Sequence, residues 1–335
     1  MIEVKNASFG KAHSTETIHF TGGLIAFQIP NGEYGFGPHK VDDEIVYYGL
    51  SSIQLAIDAA KVAGVLRVGI NQTIHTDTSY PVAIWRPVNT TSVNGLNSAA
   101  DLWGGISYNS HLNHDSDYET IGRYISVSMQ AVGVRVRDIA LLHHNQLLMA
   151  LKENRLKDTS FSNIPMLDLY LAFHSLATEL CSARDYLAKL AAMHIQAKDS
   201  IDNMPRLEEW LKKPAHKNHS IDPLVNLMMG AWGTNDSPGF LRVLGDLRNK
   251  MVHRQPMSAN PESSMLRLKE TTTGFGPILT IRLNPSRSVT SETNLTTDPF
   301  ETIFNLANQM EKLATQAAQT SRYEPKIMEF INRAQ

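Results

Sequence analysis

Two long stretches of helical periodicity constrain the fold of this chain more than any other feature. Between residues 121 and 142, apolar residues recur every three or four positions: Ile121, Ile125, Met129, Val132, Val136, Ile139 and Leu142. Residues 169–190 have the same spacing: Leu169, Phe173, Leu176, Leu180, Ala183, Leu187 and Leu190. Such stripes are typical of amphipathic helices that bury one face. We therefore predict two long helices of the kind found in helical bundles, with a polar break at residues 154–165.

The region at residues 1–118 has a different pattern, with short β-type runs between glycine, proline and polar turns. The runs "HFTGGLIAFQIP", "VLRVGINQTIH" and "PVAIWRPV" predict strands. The segment "SSIQLAIDAAKVAG" predicts a helix with a serine cap and a closing glycine, and "NGEYGFGP" (31–38) predicts a glycine-rich turn. We therefore divide the chain into a mixed α/β region of unknown role at residues 1–118 and a helical domain at residues 119–335.

The C-terminal part of the helical domain contains a predicted β-hairpin and a last helix. The segment "MLRLKETTTGFGPILTIRLNP" predicts two strands joined by a Gly-Phe-Gly turn. Asp298 is the predicted cap of the last helix, whose apolar stripe is Phe300, Ile303, Phe304, Ala307, Met310 and Leu313. The predicted fold class is therefore α+β, with a C-terminal helical bundle, an inserted hairpin and a smaller strand-rich region before them.

Composition limits the class of protein. Among 335 residues, 42% are hydrophobic and 19% are charged, which suits a globular chain with a sizeable core. The net charge of −2 does not predict nucleic-acid binding, so any contact with phosphate must come from a local patch. The one cysteine, Cys181, lies in the second stripe, which indicates a buried structural thiol and a reducing compartment. Neither a signal-peptide layout nor a membrane-spanning run is present, so we expect a cytoplasmic protein without a membrane partner.

One further helix carries a cluster of polar residues, in the segment "LGDLRNKMVHRQP" (244–256). Ser237 is its predicted cap, Pro238 fits the first turn, and Pro256 requires an earlier end. At about 100° per residue, the predicted core face is Phe240, Val243, Leu244, Leu247 and Met251.

The polar residues of this helix lie away from that core face. Asn249 and His253 are four residues apart, so they share the opposite face. Arg248 lies on one flank beside Val252, and Lys250 and Arg254 lie on the other. Asn249 and His253 therefore face solvent or a partner.

The segment "LRNKMVHR" resembles the R-x(4–6)-H motif of the HEPN family, with Arg248 and His253 as its fixed residues and Asn249 as the polar residue after the arginine. The resemblance covers about residues 120–335 and not the first third. HEPN domains are helical bundles, and many are metal-independent ribonucleases that work as dimers. The resemblance therefore implies an endoribonuclease without a cofactor or metal, of the kind found in toxins and effectors of antiviral defence.

The resemblance also implies roles and partners. Arg248 would stabilise phosphate charge, His253 would transfer protons and Asn249 would orient, while Lys250 and Arg254 would attract the RNA backbone. The implied partners are an RNA substrate, a second copy of the chain in a homodimer, and a cognate antitoxin or other regulatory partner.

The residue types suit RNA cleavage. RNA supplies its own nucleophile, the 2′-hydroxyl. Histidine transfers protons near neutral pH, and arginine offers a permanently charged fork that matches phosphate. One histidine does not readily serve as both base and acid in a single step. Two copies of the helix across a twofold axis would supply two histidines, so we expect a composite site in a homodimer.

Three alternatives remain open on the sequence. The first is a non-catalytic HEPN-like module that binds a nucleotide or a protein, or that dimerises. The second places the motif at Arg137 with His143 and His144, although these lie inside a long apolar stripe where packing is expected. The third is a metal phosphoesterase built on "HLNHDSDYE" (111–119), although this spacing matches no metal motif and predicts a polar loop. The polar face of a surface helix, with Arg248 in an ion pair, is the simplest structural explanation.

Overall fold

The computed structural model describes residues 13–29, 32–75, 82–88, 98–251, 266–283 and 298–327. Within these residues the fold is mixed α+β, as the sequence predicts at that level, and its β-sheets are antiparallel. The chain divides into two compact units. The mixed unit comprises Met1–Val88, Val136–Leu169 and Pro261–Arg287, and the helical unit comprises Asn89–Arg135, Tyr170–Asn260 and Ser288–Gln335. This grouping differs from a single division at residue 118, because two later segments belong with the N-terminal strands.

The mixed unit is built on a six-stranded sheet of order β4-β3-β2-β1-β5-β6. Its strands are β1 (His13–Phe20), β2 (Ile25–Gln28), β3 (Tyr34–Val41), β4 (Glu44–Leu50), β5 (Arg67–His75) and β6 (Val82–Pro87). The predicted runs at β5 and β6 are confirmed. The prediction of a glycine-rich turn at residues 31–38 is wrong from Tyr34 onward, because β3 begins there and pairs with β2 on one side and with β4 on the other.

The remaining elements of the mixed unit cover this sheet and form a second one. Helix α1 (Ile53–Val62) follows Ser52 and is closed by Gly64, whose φ of +67° lies in the left-handed region that glycine favours. A three-stranded sheet contains β7 (Ser160–Phe161), β8 (Leu266–Thr273) and β9 (Gly276–Leu283). The predicted hairpin with its turn at residues 274–275 is therefore confirmed.

Histidines lie inside the mixed unit. His19 on β1 is 3% exposed, its ring centroid lies 5.6 Å from that of Trp85, and neither ring nitrogen has a hydrogen-bond partner in the described residues. Burial, and then the neighbouring His144, lower its pKa to about 4. His143 is fully buried, and burial, and then the charge of Arg282, lower its pKa to about 3. Both imidazoles are therefore neutral at physiological pH.

The helical unit contains most of the predicted stripes. Its elements are α2 (Ala99–Leu112), α3 (Ser116–Lys152) as far as Arg135, α4 (Met166–His194) from Tyr170, α5 (Met204–Leu211), a 3-10 segment (Pro214–Ile221), α6 (Pro223–Trp232), α7 (Phe240–Asn249) and α8 (Pro299–Gln319). The two long helices and the last helix are confirmed. Helix α2 was not predicted, and it places His111 at a helix end where the sequence indicated a loop.

Side chains of large volume hold these helices together. The indole Nε1 of Trp103 on α2 donates to the carbonyl of Ala314 on α8 at 2.9 Å. The rings of Phe173 on α4 and Phe300 on α8 meet edge to face at 6.1 Å. Asp298 caps α8 as predicted, since its Oδ1 accepts a hydrogen bond from the amide of Phe300 at 2.7 Å. These contacts join α8 to α2 and α4 inside the helical unit.

Candidate active-site cleft of the helical unit

Helix α7 carries Arg248 and Asn249 of the predicted motif and buries an apolar stripe of Leu241, Leu244 and Leu247, with Met251 following. Two details differ from the sequence prediction. The helix begins after Gly239, so Ser237 is not its N-cap, and Val243 is 36% exposed instead of buried. The buried face of the helix therefore includes Leu241 in place of Val243.

Arg248 and Asn249 lie at the end of α7. Asn249 is exposed and Arg248 is half-buried, as a polar face opposite the stripe requires. The guanidinium Nη1 of Arg248 donates to Oδ1 of Asn249 at 3.2 Å, so the two predicted side chains act on the same surface. Lys250, also half-buried, begins a π-helical stretch with the buried Met251. The regular α-helical rotation of about 100° per residue, on which the sequence prediction depends, therefore continues only as far as Asn249.

His253 and Arg254 lie outside the described residues, as does Val252. Their predicted roles, and the predicted end of the helix before Pro256, therefore stay predictions. Three of the five predicted site residues, Arg248, Asn249 and Lys250, are described, and the first two line one cavity.

This cavity, which we call the cleft, has a volume of about 420 Å³ and is formed by four helices of the helical unit. Charged and polar side chains form most of its lining, which consists of Thr178, Cys181, Ser182, Arg184 and Asp185 from α4, Pro205 and Glu208 from α5, Trp232 from α6, and Arg242, Gly245, Asp246, Arg248 and Asn249 from α7. Three arginines and three carboxylates are present, so the cleft is polar without a large excess of either charge.

Arg184 is the innermost cation of the cleft and is only 8% exposed. Its Nε and Nη2 donate to Oδ1 and Oδ2 of Asp185 at 2.9 and 3.1 Å, a bidentate ion pair. The amide of Met204, at the start of α5, also donates to Asp185 Oδ1, at 3.3 Å. The carboxylate therefore fixes the guanidinium against two helices, and the pKa of Arg184 is raised although its burial acts in the opposite direction.

A second ion pair lies across the cleft between α7 and α5. Arg242 Nη2 donates to Oε1 of Glu208 at 2.9 Å, and Lys212 Nζ lies 3.0 Å from the same oxygen. Burial alone would raise the pKa of the Glu208 carboxyl, but hydrogen bonds from Lys212 and Arg242 hold it below its ordinary value. The Arg242 guanidinium also lies over the ring of Trp232, 4.4 Å from its centroid. Glu208 is therefore an ionised acceptor and is not available as a general acid.

Cys181 lines the cleft but has the properties of a structural thiol, as the sequence indicates. It is buried, and its Sγ lies 4.0 Å from the carbonyl oxygen of Leu244. Burial raises the thiol pKa, with the positive charges of Arg184 and Arg248 acting in the opposite direction. A neutral thiol is a weak nucleophile, so covalent catalysis by Cys181 is not supported.

The other sequence candidates have structural explanations. Arg137 Nη2 pairs with Asp138 at 3.1 Å, and His143 is fully buried, so the second motif match serves packing. His111 Nδ1 lies 3.1 Å from Oε2 of Glu119, in a helix-end contact. In the part of the chain that the structure describes, no group of three or more histidine, cysteine, aspartate or glutamate side chains could hold a metal ion.

Sequence reasoning did not find Arg184, Asp185, Glu208, Trp232 or Arg242 as members of a site. A signal for the first two was present, since an Arg-Asp pair sits between Ala183 and Leu187 of an otherwise apolar stripe. Buried charges need partners, so such a pair indicates an internal ion pair. Periodicity does not say which other helix it faces.

Comparisons with known proteins add no assignment to this geometry. No described helix is long and apolar enough to cross a membrane. No protein-family model matches the sequence, and neither a curated protein nor a solved structure matches it. Functional interpretation therefore rests on the residues of the cleft and of the motif.

Proposed function

We propose that this protein is a metal-independent endoribonuclease whose site is formed by Arg248, Asn249 and His253. The observation that supports the proposal is that Arg248 and Asn249, which share a hydrogen bond, both line the cleft. The likeness of the segment to HEPN ribonucleases supports the same assignment.

In the proposed reaction the RNA provides the nucleophile. A 2′-oxygen attacks the adjacent phosphorus as its proton leaves, the P–O5′ bond breaks, and the departing 5′-oxygen takes a proton. The products are a 2′,3′-cyclic phosphate and a 5′-hydroxyl. Arg248 stabilises the negative charge that builds up on the phosphoryl oxygens, and Asn249 holds the guanidinium in place through its Oδ1. His253 transfers the proton, and Lys250 and Arg254 attract the backbone of the RNA.

The proton count favours two copies of the site. One proton must be removed and another delivered within a single displacement, and each chain supplies one motif histidine. In a homodimer with twofold symmetry, the same surface of each subunit meets its copy. A composite site built from two copies of the motif would then contain two arginines and two histidines. As a toxin or defence effector, such an enzyme would be held in check by a cognate antitoxin or regulatory partner.

A second function, that of a non-catalytic binding module, is favoured by a specific feature of the cleft. Arg184 and Arg242 are each held by a carboxylate inside the cavity, which reduces the net positive charge offered to RNA. The volume of about 420 Å³ lies within the range of roughly 300–1,000 Å³ found for small-molecule sites. A single nucleotide or a partner side chain would suit such a cavity without any chemistry.

RNA cleavage in EDTA separates the two functions. Purified wild type and His253→Ala are incubated with a panel of tRNA and mRNA, and the ends of the products are identified. The ribonuclease proposal predicts 2′,3′-cyclic phosphate ends from the wild type and none from His253→Ala. Arg123→Ala is the matched control, because this arginine lies on α3 and pairs with Glu119 away from the cleft. Cleavage by His253→Ala at the wild-type rate would contradict the assignment, and inactivity of all three proteins toward RNA would favour the binding module.

A further inference from the structure

We propose that the cleft binds a phosphate of the RNA strand, with Arg184 as the interior ligand and Arg248 as the ligand nearer the motif. That the phosphate belongs to RNA rests on the proposed function, whereas its binding between the two arginines rests on the cleft. Arg184 would then be a substrate-binding residue that lies 64 positions before Arg248 in the sequence and outside the motif.

The first reason is that the guanidinium of Arg184 is fixed in orientation and has one donor group, Nη1, that Asp185 does not use. Its Nε and Nη2 are both used by Asp185, and Nη1 has no hydrogen-bond partner among the described residues. Because Asp185 is itself held by the amide of Met204, the guanidinium plane is fixed before any ligand arrives. A donor that is already oriented loses little entropy when it binds an anion.

The second reason is the position of Gly245 on α7. A Cβ atom at this position would lie 2.7 Å from Nη1 of Arg184, so any side chain here would displace the guanidinium. Arg248 is three residues further along the same helix, which corresponds to a rise of about 4.5 Å. Glycine therefore leaves room for Nη1 of Arg184 beside α7, one turn before Arg248.

The electrostatics of Cys181 agree with this placement. Both Arg184 and Arg248 act on the thiol with positive charge, although burial keeps its pKa raised overall. Both arginines also line the cleft. Guanidinium groups on the walls of one cavity are suited to the oxygens of a phosphate.

The third reason concerns what the cleft does not suit. Its one aromatic wall, Trp232, is occupied by the guanidinium of Arg242 at 4.4 Å, so a nucleobase has no free aromatic face on that side. The lining is mostly charged and polar, which does not suit an apolar ligand. A volume of about 420 Å³ leaves room for a phosphate with its attached sugar and not for a duplex.

Binding of a non-cleavable RNA tests the inference. The probe is a fluorescein-labelled tetranucleotide of 2′-O-methyl RNA, which lacks the nucleophilic hydroxyl, and its binding is followed by fluorescence anisotropy. We expect Arg184→Gln to weaken binding at least tenfold, since a hydrogen bond to a charged group is lost. Gly245→Ala should weaken it in the same direction, because the added methyl group displaces Nη1 without removing the charge. The control Arg123→Gln should bind within twofold of the wild type.

Competition identifies the chemical group that occupies the cleft. Inorganic phosphate should displace the probe from the wild type, and adenosine, which has no phosphate, should not. Displacement by adenosine alone would overturn the inference, and so would failure of the wild type to bind the probe. Wild-type affinity in a folded Arg184→Gln protein would also overturn it, and if that variant does not fold, wild-type affinity in Gly245→Ala decides in the same way.

The two proposals fail separately. Because the probe is not cleaved, its binding is independent of catalysis. Loss of RNA cleavage in His253→Ala together with wild-type binding in Arg184→Gln would leave the ribonuclease standing and remove the phosphate site. If the protein cleaves no RNA but binds the probe in an Arg184-dependent way, the phosphate site stands and the ribonuclease proposal is removed.

Discussion

Lowering the pH from 7.5 to 5.0 is expected to destabilise the mixed unit by about 4 kcal/mol through two buried histidines, His19 and His143. Both lie in the interior, where a charged imidazole would be poorly solvated. Their pKa values are lowered from 6.5 to about 4 and about 3, respectively. Between pH 6.5 and these lowered values, the two histidines are therefore protonated in the unfolded chain but neutral in the native state.

The sign and size follow from this difference in proton binding. Well above pH 6.5 neither state is protonated at these positions, and the full stability is present. Below pH 6.5 the unfolded chain gains protons, so the free energy of unfolding falls by about 1.4 kcal/mol per pH unit for each histidine. At pH 5.0 the loss is about 2 kcal/mol for each, and it continues down to the lowered native pKa values. This is a large fraction of the roughly 5–15 kcal/mol that stabilises a typical domain.

Urea unfolding at pH 7.5 and 5.0, followed by circular dichroism, measures the loss. The variant His19→Leu/His143→Leu removes both titrating groups and keeps their volume approximately. Between the two pH values it should lose about 4 kcal/mol less than the wild type, whatever its stability at pH 7.5. His114→Asn, at an exposed turn where φ is +58°, is the matched control and should behave as the wild type. An equal loss in the double variant and the wild type would refute the reasoning.

Three further predictions concern the helical unit. Gly230 lies at an exposed position of α6 with no atom near a new methyl group, so Gly230→Ala should raise the free energy of unfolding by about 0.5–1 kcal/mol. Gly245→Ala should lower the free energy of unfolding by about 1 kcal/mol, because Arg184 must move. Urea titrations of both variants check this contrast. Cys181 should react with a thiol reagent at pH 8 only slowly until denaturant is added, because it is buried and its pKa is raised; a rate equal to that of a free thiol would contradict this. Asp298→Ala should cost about 1 kcal/mol in the same titrations, since the capping hydrogen bond to Phe300 is lost, and no change would show that the cap contributes nothing.

The parts of the fold that could be predicted from the sequence are those with strong periodicity. The stripes of α3, α4 and α8 and the Gly-Phe-Gly turn of the hairpin each specify their element locally. Helix α2 has no such signal, because Gly104 and Gly105 interrupt it with positions that have no side chain. Gly105 is required by packing, since a Cβ there would lie 2.9 Å from the carbonyl oxygen of Lys326. Contacts that distant in the sequence leave no local pattern.

The candidate site was predictable only along α7. Helical spacing correctly placed Arg248 and Asn249 away from the apolar stripe, although the helix start and the position of Val243 were wrong. The other walls of the cleft come from α4, α5 and α6, and a single helix does not indicate which partners it faces. Arg184 and Glu208 are therefore members of the site through tertiary packing, and their carboxylate or guanidinium partners explain why charges are tolerated there.

The most direct test of the ribonuclease proposal is to remove the 2′-hydroxyl, the proposed nucleophile, from one nucleotide of the RNA substrate. Once the cleavage position in an RNA oligonucleotide has been mapped, the same oligonucleotide is made with a single 2′-deoxy nucleotide on the 5′ side of that bond and is incubated with the wild type in EDTA. The proposal predicts that cleavage at this bond disappears while cleavage at other susceptible bonds continues. Cleavage at the deoxy position at the original rate would show that the 2′-hydroxyl is not the nucleophile, and would contradict the mechanism assigned to Arg248 and His253.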